Sequence, residues 1–304
     1  MNTAPILLFT YKRLIPLKKT VEALKKNDLA GMSDLFVFSD GPKTEADRPK
    51  IREVRAFLKT IEGFNSIRIT ESENNLGLAN SIIGGVTEVL KNHEKVIVLE
   101  DDLLTTTNFL TFMNDGLDTF ITKKKVFSIA GFSFDLDSNA LASNEAYFLN
   151  RGWPWGWATW KNRWEEIDWQ VSDYKEFRSD KEKRSEFSKG GSDLNAMLKK
   201  QMNGELDSWA IRWIYHQFKV KGLTLYPAHS KVYNNGFDQF ATHTKGSEKR
   251  YKPHLDIELK NHFVYPETVE LTEKYQGLFL SKMGIKARII SKIETIMMTI
   301  FKVR

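Results

Sequence analysis

Seven residues constrain this chain most: Val96-Ile97-Val98-Leu99 runs straight into Glu100-Asp101-Asp102. The apolar run has no polar face, so it reads as a buried strand of a parallel sheet. Its acidic end then falls at the C-terminal edge of that sheet, where open α/β folds place their ligands. Adjacent carboxylates repel one another, so a packed structure must put positive charge among them. A divalent cation held by hard oxygens, itself neutralising a phosphate, meets that need. A solvated acidic turn is the plainer alternative.

The stretches before this one alternate in period. Pro5-Ile6-Leu7-Leu8-Phe9-Thr10 reads as a first buried strand, followed by Tyr11-Lys12-Arg13. Residues 16–26 have helical spacing, with Leu17, Val21 and Leu24 on one face. Residues 35–38 form a second strand ending in the turn signature Ser39-Asp40-Gly41-Pro42. A helix over 48–60, a strand over 67–70, a loop at Asn74-Asn75-Leu76-Gly77-Leu78 and a helix over 79–91 follow. Strand and helix in turn predict a parallel sheet with right-handed crossovers. No Gly-x-Gly-x-x-Gly follows the first strand and no P-loop occurs, so phosphate must be held by other means. A carboxylate-bound metal is one.

The chain has 304 residues, enough for one large α/β domain or two smaller ones. It has no cysteine, which excludes disulfides and thiolate metal sites and fits a reducing compartment. Neither a secretory leader nor a transmembrane stretch is legible, so a cytoplasmic location is expected. The net charge of +6 suits a phosphorylated ligand or an anionic membrane surface. Without an arginine-rich stripe or a nucleic-acid motif, no nucleic-acid partner is expected.

Beyond Asp102 a helix is expected over 109–121 and a strand over 126–131. Residues 151–164 then hold Trp153, Trp155, Trp157, Trp160 and Trp164 interleaved with Gly and Pro. Such a stretch makes poor helix. Its rings are either core or flat faces for a sugar or nucleobase, with packing favoured for any one ring. The charge-rich stretch 174–191 is a mobile lid or a solvated helix and turn. Asp207 opens a helix running to about Val220, with N-capping as its plain role. A late strand over 223–227 leads to a polar loop holding His243 and Lys245. From Ser281, the residues Met283, Ile285, Ile289, Ile293, Ile296, Met297 and Ile300 share one helical face. Lys282, Lys286, Arg288, Lys292, Lys302 and Arg304 stand there against Glu294. A basic amphipathic helix of this kind lies in a membrane interface or docks on protein.

Over roughly residues 4–245 these pieces, in this order, resemble the GT-A-fold glycosyltransferases. The similarity is to the N-acetylglucosaminyltransferase I type and its bacterial relatives in surface-polysaccharide and lipopolysaccharide synthesis. It rests on residues 5–13, Ser39-Asp40-Gly41, Asn75-Leu76-Gly77, Glu100-Asp101-Asp102, Gly156-Trp157 with Trp164, and Leu206-Asp207-Ser208-Trp209. The resemblance implies a Rossmann-like, mostly parallel sheet flanked by helices, followed by the basic C-terminal helix. It divides the chain into a nucleotide-sugar half (1–125), an acceptor half (126–265) and a helical tail (266–304).

The same resemblance implies Mn2+ or Mg2+ on Asp102, with Glu100 and Asp101 near ribose and uracil. Thr10, Tyr11, Arg13, Asp40, Asn75 and Gly77 would line the nucleotide site. Trp153, Trp155 and Trp157 would meet the acceptor, and His243 and Lys245 the metal or diphosphate. The family's general base falls strictly on Ser208, which cannot serve, so Asp207 is the expected base. The implied reaction is inverting transfer from a UDP-sugar to a saccharide, with a lipid-linked acceptor at the inner face of a membrane and residues 282–304 holding the enzyme there. A sugar nucleotidyltransferase and a non-catalytic carbohydrate-binding protein are the rival classes. Tyr11-Lys12-Arg13-Leu14 lacks the Gly-rich loop of the first, and the second leaves the three acids unexplained.

Overall fold

In the computed structural model, residues 3–136, 145–236, 251–291 and 293 are described. The early apolar runs become β1 (Ile6–Thr10), β2 (Asp34–Ser39), β3 (Ser66–Glu71) and β4 (Lys95–Glu100). Between them lie α1 (Leu14–Lys25), α2 (Arg48–Leu58) and α3 (Leu78–Leu90). Pro49 sits in the first turn of α2, where its missing N–H costs nothing, and Gly77 starts α3 with φ +77°. The four strands pair in parallel in the order β3-β2-β1-β4. Chain order reverses between β1 and β4, which opens a crevice beyond their C-terminal ends.

The second half extends the same sheet. After β5 (Leu103–Thr105) and α4 (Phe109–Thr119) come β6 (Val126–Ala130), β7 (Ala146–Leu149) and β8 (Trp157–Trp160). The helices α5 (Lys161–Trp164), α6 (Tyr174–Ser179), α7 (Lys181–Ser188), α8 (Leu194–Met202) and α9 (Trp209–Lys219) precede β9 (Leu223–Pro227) and β10 (Val232–Asn234). Last comes α10 (Glu273–Met283). The eight-stranded order is β3-β2-β1-β4-β8-β6-β9-β7, and β5 pairs with β10 in a separate ribbon. Strands β8 and β7 run against the others, so the sheet is mixed and mostly parallel. One sheet therefore draws on both halves expected from the sequence.

Alternation along the strands sorts two cores. Ile6, Leu8, Ile97 and Leu99 face α1, α2, α4 and α10 on one side. Leu7, Phe9, Val96 and Val98 face α3, α8 and α9 on the other. The result is a mixed α/β architecture, a large central sheet covered by helices on both faces. The charge-rich stretch is α6 and α7, anchored by Phe177 and Phe187 in the second core.

The C-terminal stripe differs from expectation in one respect. Met283 does not join the exposed isoleucines; it is buried with Tyr275 and Phe279 of α10. Gly284, extended at the end of α10, breaks the helix and lets the chain turn before 285–291 resumes helical form. Beyond it Ile285, Ile289, Ile290 and Ile293 are exposed. Lys292, Glu294, Ile296, Met297, Ile300, Lys302 and Arg304 lie outside the described residues. No helix among the described residues is long and apolar enough to cross a membrane.

Candidate active site

The crevice between β1 and β4 is where the acidic end of β4 meets the segment leaving β1. Arg13 Nη2 donates to Asp101 Oδ1 at 2.7 Å and to Asp102 Oδ2 at 2.6 Å. One guanidinium nitrogen thus bridges two carboxylates that are adjacent in sequence. Asp101 is held further by Thr10 Oγ1 at 3.2 Å and by the Tyr11 amide at 3.3 Å, both to Oδ2. Thr20, buried in the apolar stripe of α1, donates to the Asp101 carbonyl at 3.0 Å. Asp101 is therefore fixed by the backbone it faces. Among the described residues the Asp102 carboxylate is held by Arg13, and its Oδ1 accepts nothing. Glu100, half-buried, meets no described hydrogen-bonding partner.

The electrostatics follow from this packing. Burial acts to lower the Arg13 pKa, but Asp101 and Asp102 outweigh it and raise it. Burial pushes Asp101 up, against the pull of Arg13. Burial, then Asp102 and Asp101, push Glu100 up to about 8. With the charge on Glu100 disfavoured by burial, Asp101 and Asp102 still face a single guanidinium, that of Arg13.

A second knot lies beside the first. Asp40, among the residues that would line the nucleotide site, is linked to β1 by its amide on the Thr10 carbonyl at 3.0 Å. Its carboxylate is already filled: Oδ1 takes the Gly41 and Leu76 amides at 2.8 Å each. Oδ2 takes Asn75 Nδ2 at 2.8 Å and the Gly77 amide at 3.1 Å. Four donors occupy the lone pairs a carboxylate offers, so Asp40 is the brace that shapes the 75–77 loop. Asn75 and Gly77 meet Asp40 there.

Tyr11 points to the other side, donating to Asp47 Oδ2 at 3.0 Å and accepting the Lys43 amide at 3.1 Å. Lys12 also pairs with Asp47, at 2.6 Å. Lys12, then Thr44 and Tyr11, hold the Asp47 carboxyl well below the usual range. Asp47 escaped the sequence reading because its capping box with Thr44 opens a short turn, with no apolar period to announce it.

Asp207 stands at the rim. Its side chain is 61% exposed, 3.4 Å from Arg212 Nη2. A Cβ on Gly77 would lie 3.7 Å from its Oδ2, which places it beside the braced loop. Asp207 is not the cap of α9; Ser208 is, accepting the Ile211 amide at 3.3 Å. The spare carboxylate is therefore free of that structural duty.

The tryptophans divide. Trp157, 1% exposed, stacks among Trp164, Trp209 and Trp213 in the second core, so its expected acceptor role is withdrawn. Trp157 lies in β8, and strand alternation turns it into the sheet's packed face. Trp153 is likewise buried, stacked on Phe132 with centroids 5.4 Å apart and edge-on to Phe134. Trp155 is half-buried, edge-on to Phe132 and Tyr251. His243 and Lys245 lie outside the described residues.

Gly236, which the sequence did not single out, presses on the acidic pair. The neighbouring Asn235 amide donates to the Asp102 carbonyl at 2.8 Å. A Cβ at 236 would stand 2.8 Å from Asp102 Cγ and closer still to Oδ2. Only glycine fits.

The sequence matches no family model and no curated protein. Among solved structures it is similar to a mannosyltransferase from Pyrobaculum calidifontis in complex with GDP-Man and Mn2+. The identity there is 11% over 52% of this chain and 45% of that one, with a TM-score of 0.36. It is also similar to residues 1–349 of S. aureus TarS, at 9% identity over 76% of this chain and 60% of that one, with a TM-score of 0.41. The chain thus spans less than two thirds of either protein's length.

Proposed function

We propose that this protein is a metal-dependent glycosyltransferase, moving a sugar from a UDP-sugar to a saccharide hydroxyl with inversion. The observation that carries the reading is the Asp101–Asp102 pair, bridged by Arg13 in the β1/β4 crevice. The donor set fits a hard divalent cation. No group of three acid or histidine side chains among the described residues could hold a metal ion by itself. Mg2+-type ions, however, are held by one or two carboxylates with the rest of the shell from substrate phosphate and water. Asp102 with its uncommitted oxygen, and Asp101 beside it, would hold the ion. When bound, it supplies positive charge for the departing diphosphate.

The remaining work falls to side chains. Thr10 and the Tyr11 amide keep Asp101 oriented, and the Asp40-braced loop shapes the nucleotide end. Asp207 takes the proton of the acceptor hydroxyl as its oxygen bonds to the anomeric carbon and the bond from that carbon to the diphosphate oxygen breaks. Residues 1–125 contribute the donor site and residues 126–265 the acceptor site, with half-buried Trp155 the ring that meets a sugar face. Trp155→Ala raises the acceptor KM and, because the ring also packs edge-on to Phe132 and Tyr251, lowers the melting temperature by less than loss of a fully buried ring does. Trp157→Ala removes a core ring and costs about 3–5 kcal/mol of stability. Thermal unfolding beside acceptor titrations checks both.

The acceptor is a lipid-linked saccharide of surface-polysaccharide or lipopolysaccharide synthesis, met at the cytoplasmic face of a membrane. Exposed Ile285, Ile289 and Ile293 with Lys286 and Arg288 support that placement. The protein should co-sediment with anionic vesicles and not with neutral ones, and Ile285→Ser with Ile289→Ser should abolish it. Equal sedimentation of the double variant would remove the membrane from the proposal.

The deciding experiment measures diphosphate release from a panel of nucleotide sugars with Mn2+, Mg2+ or EDTA. Metal-dependent release from one donor, lost in Asp102→Ala, is the expected result. Release of pyrophosphate from a nucleoside triphosphate and a sugar phosphate would point to a nucleotidyltransferase instead. Sugar binding with no affinity for any nucleotide would point to a binding protein.

A further inference from the structure

We infer that Arg13 is the resident counter-cation of the Asp101–Asp102 pair, and that its displacement couples metal binding to diphosphate binding. The inference rests on the metal-dependent reading above. A single atom, Arg13 Nη2, touches the nearest oxygens of both carboxylates at 2.7 and 2.6 Å. It occupies the place where a cation bridging the two acids would sit. Two positive centres cannot share that place, because like charges at such short range repel strongly and a divalent ion doubles the repulsion. The guanidinium must leave as the ion enters.

It leaves with unmet capacity. Nη1 of Arg13 is buried and donates to nothing among the described residues. A buried donor without an acceptor is unfavourable, so the resting arrangement is not fully satisfied. A diphosphate offers oxygens matched to a guanidinium fork. Arg13 also stands at the cap position of α1, a twelve-residue helix with no side-chain cap and no acid in its first turn. That helix end favours an anion arriving beside Arg13.

Metal alone must therefore expel Arg13 with no new partner for it. Metal together with diphosphate gives the guanidinium a destination. The two ligands strengthen one another, with a coupling expected in the range of about 5–150-fold. The device keeps the acids neutralised in the free protein and withholds tight metal binding until the nucleotide arrives.

The test is Mn2+ binding to the purified protein, counted by electron paramagnetic resonance of free Mn2+, alone and with UDP or GDP. Wild type should bind Mn2+ weakly alone and more tightly with a nucleoside diphosphate. In Arg13→Gln the competing charge is gone, so Mn2+ alone should bind about tenfold more tightly and the coupling should shrink. Should that variant not fold, Arg13→Lys keeps the cation but loses the fork, so Mn2+ alone should stay weakly bound while the coupling to nucleotide shrinks. Unchanged Mn2+ affinity and coupling in the folded variant, with nucleotide-dependent Mn2+ uptake intact in wild type, overturns the inference alone. No Mn2+ uptake by wild type with any nucleotide overturns the transferase reading and the inference with it.

Discussion

Asp102→Asn should leave the melting temperature close to wild type and reduce donor turnover by about a thousandfold or more. Its neighbour behaves differently. Asp101→Asn should unfold the site, because Asp101 collects Thr10, the Tyr11 amide and Arg13 on its two oxygens. Among the described residues the Asp102 carboxylate answers to Arg13 alone, and with Asn there the guanidinium keeps Asp101 as its partner. In Asp101→Asn the guanidinium keeps Asp102 and some contact with water, so the loss is that of the Thr10 and Tyr11 hydrogen bonds to a buried carboxylate, about 1–3 kcal/mol. Thermal unfolding and diphosphate release, measured on both variants, separate the two roles. Equal loss of stability would mean that Asp102 is as structural as Asp101.

The first four strands and the acidic edge were legible because their signals are local. Four consecutive apolar residues, or Leu17, Val21 and Leu24 at helical spacing, need no knowledge of what they pack against. The second half was harder for a physical reason. Strand β8 is Trp157-Ala158-Thr159-Trp160, too short to show a period, and β7 pairs with β9 across more than seventy residues of chain. Bulky rings in such a strand look like ligand faces until the sheet turns them inward, as it does Trp157. Asp40 shows the converse. Its place after β2 marked it as functional, yet three of the four donors that fill its carboxylate come from 35 to 37 residues away and leave no sequence pattern. The pairing of Arg13 with Asp101 and Asp102 spans 88 and 89 residues. What the motif could indicate was a need for positive charge; which side chain meets it only the fold decides.

Two glycines turn that geometry into a paired prediction. Gly41→Ala puts a Cβ 2.8 Å from Asn74 Cα and 2.5 Å from its carbonyl oxygen, backbone against backbone with no rotamer to relieve it. The segments leaving the strands that end at 39 and 71 must part, and the bonds joining Asp40, Gly41 and Asn75 go with them. Overpacking of this kind costs about 1–3 kcal/mol, and the melting temperature of Gly41→Ala should fall accordingly. Gly236→Ala meets the Asp102 carboxylate, the end of a side chain that can swing away. Its fold should hold while Asp102 is pushed off Arg13, and turnover should fall as far as in Asp102→Asn. Nucleotide-dependent Mn2+ uptake measured beside thermal unfolding distinguishes the two. Because Asp102 moves but its charge remains, metal uptake lost in Gly236→Ala at an unchanged melting temperature shows that the position of that carboxylate, and not its charge alone, makes the site.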